Sequence, residues 1–349
     1  MTATELRRTP EGVHLPPQGP LRLLTTGVAL RRWAVAALAI NVLIVVTGGL
    51  VRLTASGLGC PTWPRCSESS FVTHPELGVH GAIEFGNRLL TFVLVAVVAL
   101  TWITALRFRD ADRLEVRGGR RRDLRWLAGG LLLGIPAQIV IGGISVLTHL
   151  NPWVVGLHFV VSMALVGIAV GLVRSTRGAP VVRTDRVWAV PAARLAFAGM
   201  VVAVWLGTVV TGSGPHAGDL AAVRNGLDGG TVAHAHAAAV WVTIALTLLD
   251  LVLVRSRAVL LLLGVEVLQA VIGITQYELG VPVGLVGLHL LGASLSVAAA
   301  TNLLLAVRRP RTLAASPARG QVPVAGLPGA GRGRSSQSRS RAVTKGSTT

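Results

Sequence analysis

The sequence predicts an all-α integral membrane protein with eight transmembrane helices. Of its 349 residues, 52% are hydrophobic and only 14% are charged, too few charges to cover the surface of a water-soluble domain. Apolar stretches recur along the chain, each close to the roughly 20 residues that cross about 30 Å of hydrocarbon. One soluble core could not bury eight such stretches, so a lipid bilayer is the expected solvent.

The spans follow a pattern that repeats in the two halves of the chain. They are predicted near 33–52, 80–106, 126–147, 153–173, 188–211, 231–254, 258–276 and 283–307. Short turns join the third span to the fourth and the seventh to the eighth, whereas long loops, 53–79 and 212–230, follow the first and the fifth. This repetition suggests a duplication that produced two pseudo-symmetric four-helix bundles.

The positive charge of the chain is distributed as membrane topology requires. The net charge is +18, and the arginines gather in alternate loops and in both tails rather than along one face, which argues against nucleic acid as a partner. Because basic residues concentrate on the cytoplasmic side, both termini are predicted to be cytoplasmic, an N-in/C-in topology.

We divide the chain into four segments. Residues 1–30 form a cytoplasmic N-terminal segment, which is too polar and too long before the first span to be a cleaved signal peptide. Residues 31–175 form the first half, with the long loop 53–79, and residues 176–307 form the second half. The basic tail, 308–349, is rich in Arg, Ser, Gly and Pro, so we expect it to be disordered and available to membrane lipid.

An internal sequence repeat supports the duplication. Twenty positions after the start of Gln138-Ile-Val-Ile-Gly-Gly-Ile-Ser stands His158, and at the same spacing after the start of Gln269-Ala-Val-Ile-Gly-Ile-Thr-Gln stands His289. Each half is therefore expected to enclose one ligand between its helices.

Three histidines lie early in spans that run in the same direction: His158, His236 and His289. They share a predicted depth near the outer surface. An intramembrane histidine is a functional candidate, although a single one can simply hydrogen-bond a neighbouring helix. Facing imidazoles in a bundle can bind heme iron from both sides, and His236 with His289 forms such a pair. His234 lies on another helix face and is the less favoured ligand.

The first half has no histidine opposite His158 at the same depth. The corresponding part of span two contains Asn87, a poor iron ligand, and His80 stands one turn above Glu84, nearer to water. Either His158 holds the iron alone, with one side open, or His80 reaches in after a rearrangement. An open coordination position suits substrate chemistry better than pure electron transfer.

Two carboxylates fall within predicted spans. Glu84 stands near Arg88 at the start of span two, where it forms either an ion pair at the interface or a proton acceptor beside the first-half ligand. Glu266 is placed in the middle of span seven with no comparable cluster around it, so a packing role and a proton role both stay open.

The two cysteines, Cys60 and Cys66, both lie in the first outer loop. On the oxidising side of a membrane a disulfide is the expected state. It either fastens the loop or acts as a redox pair near the heme, and metal binding by the cysteines with His74 or His80 is a third, less favoured reading.

Heme A synthases of the CtaA type carry a first-loop signature that this sequence closely resembles in Thr47-Gly-Gly-Leu-Val-Arg-Leu-Thr-Ala-Ser-Gly-Leu-Gly-Cys-Pro-Thr-Trp-Pro-Arg-Cys66. Glu84-Phe-Gly-Asn-Arg88 resembles the helix-two motif of that family, in an actinobacterial-like form. The resemblance covers residues 33–307. The histidines of spans four, six and eight fall where the family places its heme ligands.

The resemblance implies an oxidoreductase that converts the C8 methyl group of heme O to a formyl group and so supplies heme A to a cytochrome oxidase. It places the substrate heme in the first half, with His158 as ligand, Asn87 and Arg88 beside it, and Glu84 and the cysteine loop as catalytic groups. It places a permanent heme b in the second half, between the histidines of spans six and eight. Asn87 departs from the family motif, in which many relatives carry histidine, as does Ala237, where relatives often have arginine.

The same resemblance implies the plasma membrane of a bacterium, with heme O synthase and cytochrome oxidase assembly factors as candidate partners and a homo-oligomer as a candidate assembly. Two other classes remain open. A di-heme electron-transfer cytochrome explains the histidine pairs but not Glu84 beside an incomplete ligand set. A membrane transporter explains the repeated halves, but its site is expected near the midplane rather than near the outer face.

Overall fold

The computed structural model describes Leu24 and residues 26–108, 121–178, 180–220 and 222–309. Within these residues the chain forms eight long helices. They are α1 (Gly27–Leu53), α2 (Gly78–Arg107), α3 (Arg121–Leu147), α4 (Pro152–Arg177), α5 (Ala189–Ser213), α6 (Gly229–Val254), α7 (Arg257–Glu278) and α8 (Val283–Ala306). All eight are long and apolar enough to cross a membrane, which confirms the eight-span prediction. The short 3₁₀ helix Pro75–Leu77 precedes α2.

Several helices extend beyond the predicted spans. Helix α1 begins at Gly27, where the Thr26 hydroxyl accepts a hydrogen bond from the Ala29 amide, so that the helix includes arginines that hydropathy had excluded. Helix α4 continues to Arg177 and ends at Gly178, which has a left-handed φ of 57°. Long basic side chains can leave the hydrocarbon at helix ends, so charge there does not end the helix.

The eight helices pack as two groups of four neighbours. Helices α1, α2, α3 and α4 each contact the next, and α4 returns to α1; helices α5, α6, α7 and α8 do the same. Helix α4 also packs against α5 and α8, and α8 packs against α1. These pairings are the ones that a duplicated four-helix unit would give, and the duplication itself stays a prediction.

Two buried clusters follow this grouping. One contains Leu30, Val98 and Leu131, all from the first half. The other is formed mainly by the second half and also takes in Val45 and Met163. The outward faces are apolar as well, with Leu133 76% and Phe92 71% exposed. Apolar side chains facing outward are expected of a protein whose surroundings are lipid, as in a multi-pass membrane protein.

A short pair of β-strands was not predicted from the sequence. Val182–Arg183, in the connection between α4 and α5, forms strand β1 and pairs in parallel with strand β2, Val307–Arg308, directly after α8. Two residues are too few to show an alternating pattern, so this strand pair could not be predicted from the sequence. Apart from it, the all-α prediction is confirmed for the described residues. Most of the predicted terminal segments, 1–30 and 308–349, lies outside them.

Candidate functional site

Each of the three predicted ligand histidines lies against a glycine of the preceding helix. A Cβ atom added to that glycine would stand 3.2 to 3.3 Å from Cε1 of the imidazole. The pairs are Gly142 with His158, Gly207 with His236, and Gly273 with His289. A larger residue at any of these glycines would crowd the ring, so glycine lets each imidazole approach the neighbouring helix closely.

His236 on α6 and His289 on α8 come together in the second half. Their ring centroids are 6.3 Å apart and the ring planes make an angle of 80°. Two metal–nitrogen bonds of about 2 Å each, with the spans from each nitrogen to its ring centre, come to about 6 Å. The gap therefore fits one iron atom between the two rings.

Hydrogen bonding sets the tautomer of one of these imidazoles. Nδ1 of His236 lies 2.9 Å from the carbonyl oxygen of Ala203, and because a carbonyl can only accept, Nδ1 carries the proton. The lone pair is then on Nε2. A metal-binding histidine usually has this arrangement, with its second nitrogen donating to a fixed acceptor.

The two glutamines of the sequence repeat occupy equivalent positions. Gln269 donates from Nε2 to the carbonyl oxygen of His289 at 2.9 Å, and Gln138 does the same to His158 at 3.2 Å and also contacts the Ser162 hydroxyl. The buried Nδ1 atoms of His158 and His289 have no hydrogen-bond partner in the described part of the chain. Each repeat therefore supports the backbone at one histidine.

Glu84 on α2 is buried, with 6% of its surface exposed. Its Oε2 accepts a hydrogen bond of 2.6 Å from the backbone amide of Cys60. Its Oε1 accepts two from Arg88, at 3.1 Å from Nε and 2.6 Å from Nη2. The predicted ion pair is confirmed, and a proton-accepting role for Glu84 stays a prediction.

The first long loop, 53–79, is fastened over the first half. Cys60 and Cys66 form the predicted disulfide and are fully buried. Arg88 donates to the carbonyl oxygens of three loop residues, Cys60, Thr62 and Arg65. The Trp63 ring lies directly on Gly143 of α3, next to the glycine that contacts His158. One arginine and one tryptophan thus hold the loop against α2 and α3.

Asn87 takes up a defined orientation on α2. Its Oδ1 accepts a hydrogen bond of 2.8 Å from the Thr47 hydroxyl, and its Nδ2 is the atom nearest to Gly48, where an added Cβ would lie 3.9 Å away. His80, the alternative ligand, is exposed and contacts the Ser56 hydroxyl through Nδ1 at 2.9 Å. The structure therefore places Asn87, not His80, beside α1.

Two other histidines, His234 and His74, make polar contacts of their own. His234 is exposed, donates from Nδ1 to the carbonyl of Gly230 at 2.7 Å and contacts the edge of Tyr277. His74 lies 3.2 Å from the Ser67 hydroxyl. No group of three or more His, Cys, Asp or Glu side chains able to hold a bare metal ion occurs among the described residues. A porphyrin iron needs only one or two axial side chains, which is what the site offers.

Comparison with protein families decides the relationship. The sequence model of the COX15-CtaA family, described as cytochrome oxidase assembly protein, matches residues 31–301. The chain belongs to the COX15-CtaA family.

The curated relatives of this COX15-CtaA family member include several heme A synthases. The chain is 27% identical over 184 residues to heme A synthase of Geobacillus kaustophilus, which covers 52% of this chain and 51% of the relative. It is 30% identical over 126 residues to that of Geobacillus thermodenitrificans, 36% of each chain. It is 28% identical over 155 residues to that of Methylobacterium nodulans, 40% of each. The matched part spans between about a third and a half of these relatives.

In this COX15-CtaA family member, the interpretation that Glu266 has no comparable cluster around it was wrong. Glu266, 3% exposed, does have polar neighbours: the Thr247 hydroxyl donates to its Oε1 at 3.1 Å, and Asp250 is close enough to interact with it electrostatically. Both oxygens of Asp250 and Oε2 of Glu266 lack hydrogen-bond partners among the described residues. Thr247 and Asp250 lie on α6 one turn apart, a spacing that identifies a shared face but not which helix faces it.

Two residues that contact the candidate site were also not predicted from the sequence. Thr47 and Trp63 stand within the first-loop signature, but nothing in the sequence showed that the hydroxyl contacts Asn87 or that the indole covers Gly143. The only available signal was the glycine pair Gly142–Gly143, which indicates close approach by another group.

Proposed function

We propose that this chain is a heme A synthase that oxidises the C8 methyl group of heme O to a formyl group. The observation that supports this most is the imidazole pair of His236 and His289, separated by the distance that one axially bound iron requires. Membership of the cytochrome oxidase assembly family and the similarity to heme A synthases support it further. With water as the source of the oxygen atom, one methyl group and one water molecule give one formyl group, four protons and four electrons. The electrons pass to an electron acceptor of the membrane.

We assign the second half, 176–307, to a permanent heme b. His236 and His289 would be its axial ligands, with Ala203 fixing the tautomer of the first and Gln269 supporting the second. When bound, the heme supplies one-electron redox chemistry, and the protein supplies ligation and the apolar surroundings that tune it.

We assign the first half, 31–175, to the substrate heme. His158 would bind its iron, and Glu84 would accept protons released from the oxidised carbon. The Cys60 amide and Arg88 hold the Glu84 carboxylate in one orientation, so it is available without a rearrangement of α2. The cysteine loop would cover this side through Trp63, whose ring lies on Gly143.

The cellular setting follows from the same proposal. With basic residues in the cytoplasm, both termini are cytoplasmic and all three ligand histidines lie near the outer face of a bacterial plasma membrane. Heme O synthase and cytochrome oxidase assembly factors are the proposed partners, because heme O is the substrate and heme A the product. A homo-oligomer and the actinobacterial-like subtype stay predictions.

Identification of the bound and released hemes tests the proposal. The chain is expressed in cells without their own heme A synthase, with and without co-expressed heme O synthase, and extracted hemes are identified by chromatography and mass. We expect heme b in both cultures and heme A only when heme O is supplied. Hemes without any conversion would instead indicate a di-heme cytochrome, and a colourless protein would indicate a transporter; either result contradicts the proposal.

A further inference from the structure

A fourth helix pair has the same kind of contact as the three that hold the histidines, at 3.9 Å instead of 3.2 to 3.3 Å from the added Cβ. On α1 and α2, Gly48 faces Asn87, as Gly142 faces His158 one helix pair later. In each case the residue on the second helix lies against a glycine of the first. Asn87 therefore occupies the position that an imidazole occupies in the other three pairs.

We propose that Asn87 replaces an axial ligand, so that a porphyrin iron bound by His158 keeps one coordination position open toward the Asn87 amide. This rests on the proposed function, because it assumes that the first half binds a heme. It deepens that function by distinguishing the two hemes: one is bound from both sides, and the other can bind a small exogenous ligand.

The orientation of the amide supports an open position. The Thr47 hydroxyl donates a hydrogen bond to Oδ1 of Asn87, so the oxygen that could contact a metal is already engaged. The group directed toward Gly48 is the NH₂, which has no free lone pair for iron and can only donate a hydrogen bond. Asn87 therefore presents a donor rather than a ligand.

Thr47 itself distinguishes this helix pair. It stands immediately before Gly48, and the residues immediately before the other three glycines are aliphatic: Ile141, Leu206 and Ile272. A hydroxyl occurs only where its partner is an amide. Thr47 and Asn87 thus form a matched polar pair, which indicates that the Thr47 hydroxyl fixes the orientation of the Asn87 amide.

The same side of the first half carries the buried acid. Glu84 is one turn before Asn87 on α2, whereas Ala233 stands at the same spacing before His236 on α6. His80 lies two turns before Asn87, about 10 Å along the helix axis, and is held by Ser56. The open position therefore has a hydrogen-bond donor beside it and a carboxylate one turn away on the same helix, and its counterpart in the second half is closed by an imidazole.

Carbon monoxide binding and spin state test the proposal on the purified, full-length protein with its hemes bound. In the wild type, we expect one heme to be low-spin and unreactive, and the other to be high-spin and to bind carbon monoxide after reduction. Asn87→His should convert the second population to low-spin and abolish its carbon monoxide binding. Asn87→Ala should keep that binding, because it also leaves the position open.

His236→Asn is the matched control, since it places in the second half the residue that the first half has naturally. It should create carbon monoxide binding at the heme that lacked it. Wild-type protein with every heme low-spin and unreactive would overturn this inference while leaving the proposed function intact, as would Asn87→His with an unchanged spectrum. A colourless protein would overturn the proposed function and this inference together.

Discussion

Among single residues, the imidazole pair carries the most direct prediction. We expect His236→Ala or His289→Ala to abolish the low-spin heme b signal, because loss of one axial ligand leaves a coordination position of the iron open to water. The visible spectrum of the purified protein measures this. His234→Ala is the control, since that ring is exposed and hydrogen-bonds within its own helix. An unchanged spectrum in both ligand variants would remove the pair from the site.

The buried carboxylate gives a second prediction at this scale. We expect Glu84→Gln to lower heme A formation by about 10²–10⁴-fold, the usual contribution of a general base. The fold should be kept, because the amide oxygen can still accept from Cys60. Extracted heme A measures the effect, and the thermal midpoint checks the fold.

Glu76→Gln is the matched control for Glu84, because Glu76 is an exposed acid just before the same helix. It should leave heme A formation unchanged. Normal heme A formation by Glu84→Gln would show that the carboxylate serves only as the partner of Arg88.

Between elements, the contact of the first loop with α3 can be tested through one glycine. We expect Gly143→Ala to displace the Trp63 ring, since the added Cβ would overlap it, and so to expose the buried disulfide. A phosphine reductant should then cleave Cys60–Cys66 several times faster, as followed by alkylation and mass. Gly130→Ala on the same helix meets nothing within 4 Å and should leave the rate unchanged.

If Gly143→Ala were reduced at the wild-type rate, the indole would not be what shields the disulfide. Trp63→Ala provides the second check, since removal of the ring should accelerate reduction to a similar extent without any change on α3.

The contact between α6 and α7 buries polar groups that lower the stability of the protein, whereas the equivalent contact in the first half is apolar. Buried polar groups without partners cost about 1–3 kcal/mol each. Helices α6 and α7 carry Thr247 and Glu266 at this contact. At the equivalent positions of the first half, α2 and α3 carry the buried aliphatic residues Val98 and Ile135. We expect the double variant Thr247→Val with Glu266→Ile to raise the Tm of the purified protein.

The reverse exchange, Val98→Thr with Ile135→Glu, is the control and should lower Tm, because it introduces a carboxyl group into an apolar cluster. A double variant at Thr247 and Glu266 that is less stable than the wild type would mean that the carboxyl group has a stabilising partner or ligand in the folded protein.

In the whole molecule, Arg52 connects the two halves of the chain. From the last turn of α1 it donates to the carbonyl of His216 at 2.6 Å and to that of Thr211 at 2.9 Å, beyond the middle of the chain. Hydrogen bonds from a charged group contribute about 1.5–3 kcal/mol each. We expect Arg52→Met to lower Tm markedly and Arg52→Lys to lower it less.

Arg65→Met is the control, because its guanidinium bonds only to a carbonyl three residues away and lies over Phe71 in the same loop. If Arg52→Met and Arg65→Met changed Tm equally, the connection between the halves would not depend on Arg52.

The sequence by itself determined the eight spans and the cysteine pairing, and it predicted a common depth for the three histidines. Each of these depends on distance along the chain: the length of charge-free stretches, the rise per residue of a helix, and the presence of only two cysteines. It also offered a Glu84–Arg88 ion pair as one of two alternatives, because the two residues stand one turn apart on the same helix.

Only the tertiary structure decided which helix faces which. It brought His236 to within 6.3 Å of His289, held Asn87 with Thr47, and placed Thr247 and Asp250 beside Glu266. In lipid, every outward face is as apolar as the interior, so hydropathy does not show which side of a helix meets its neighbour. The packing of side chains between helices makes that choice, and with it the geometry of the site.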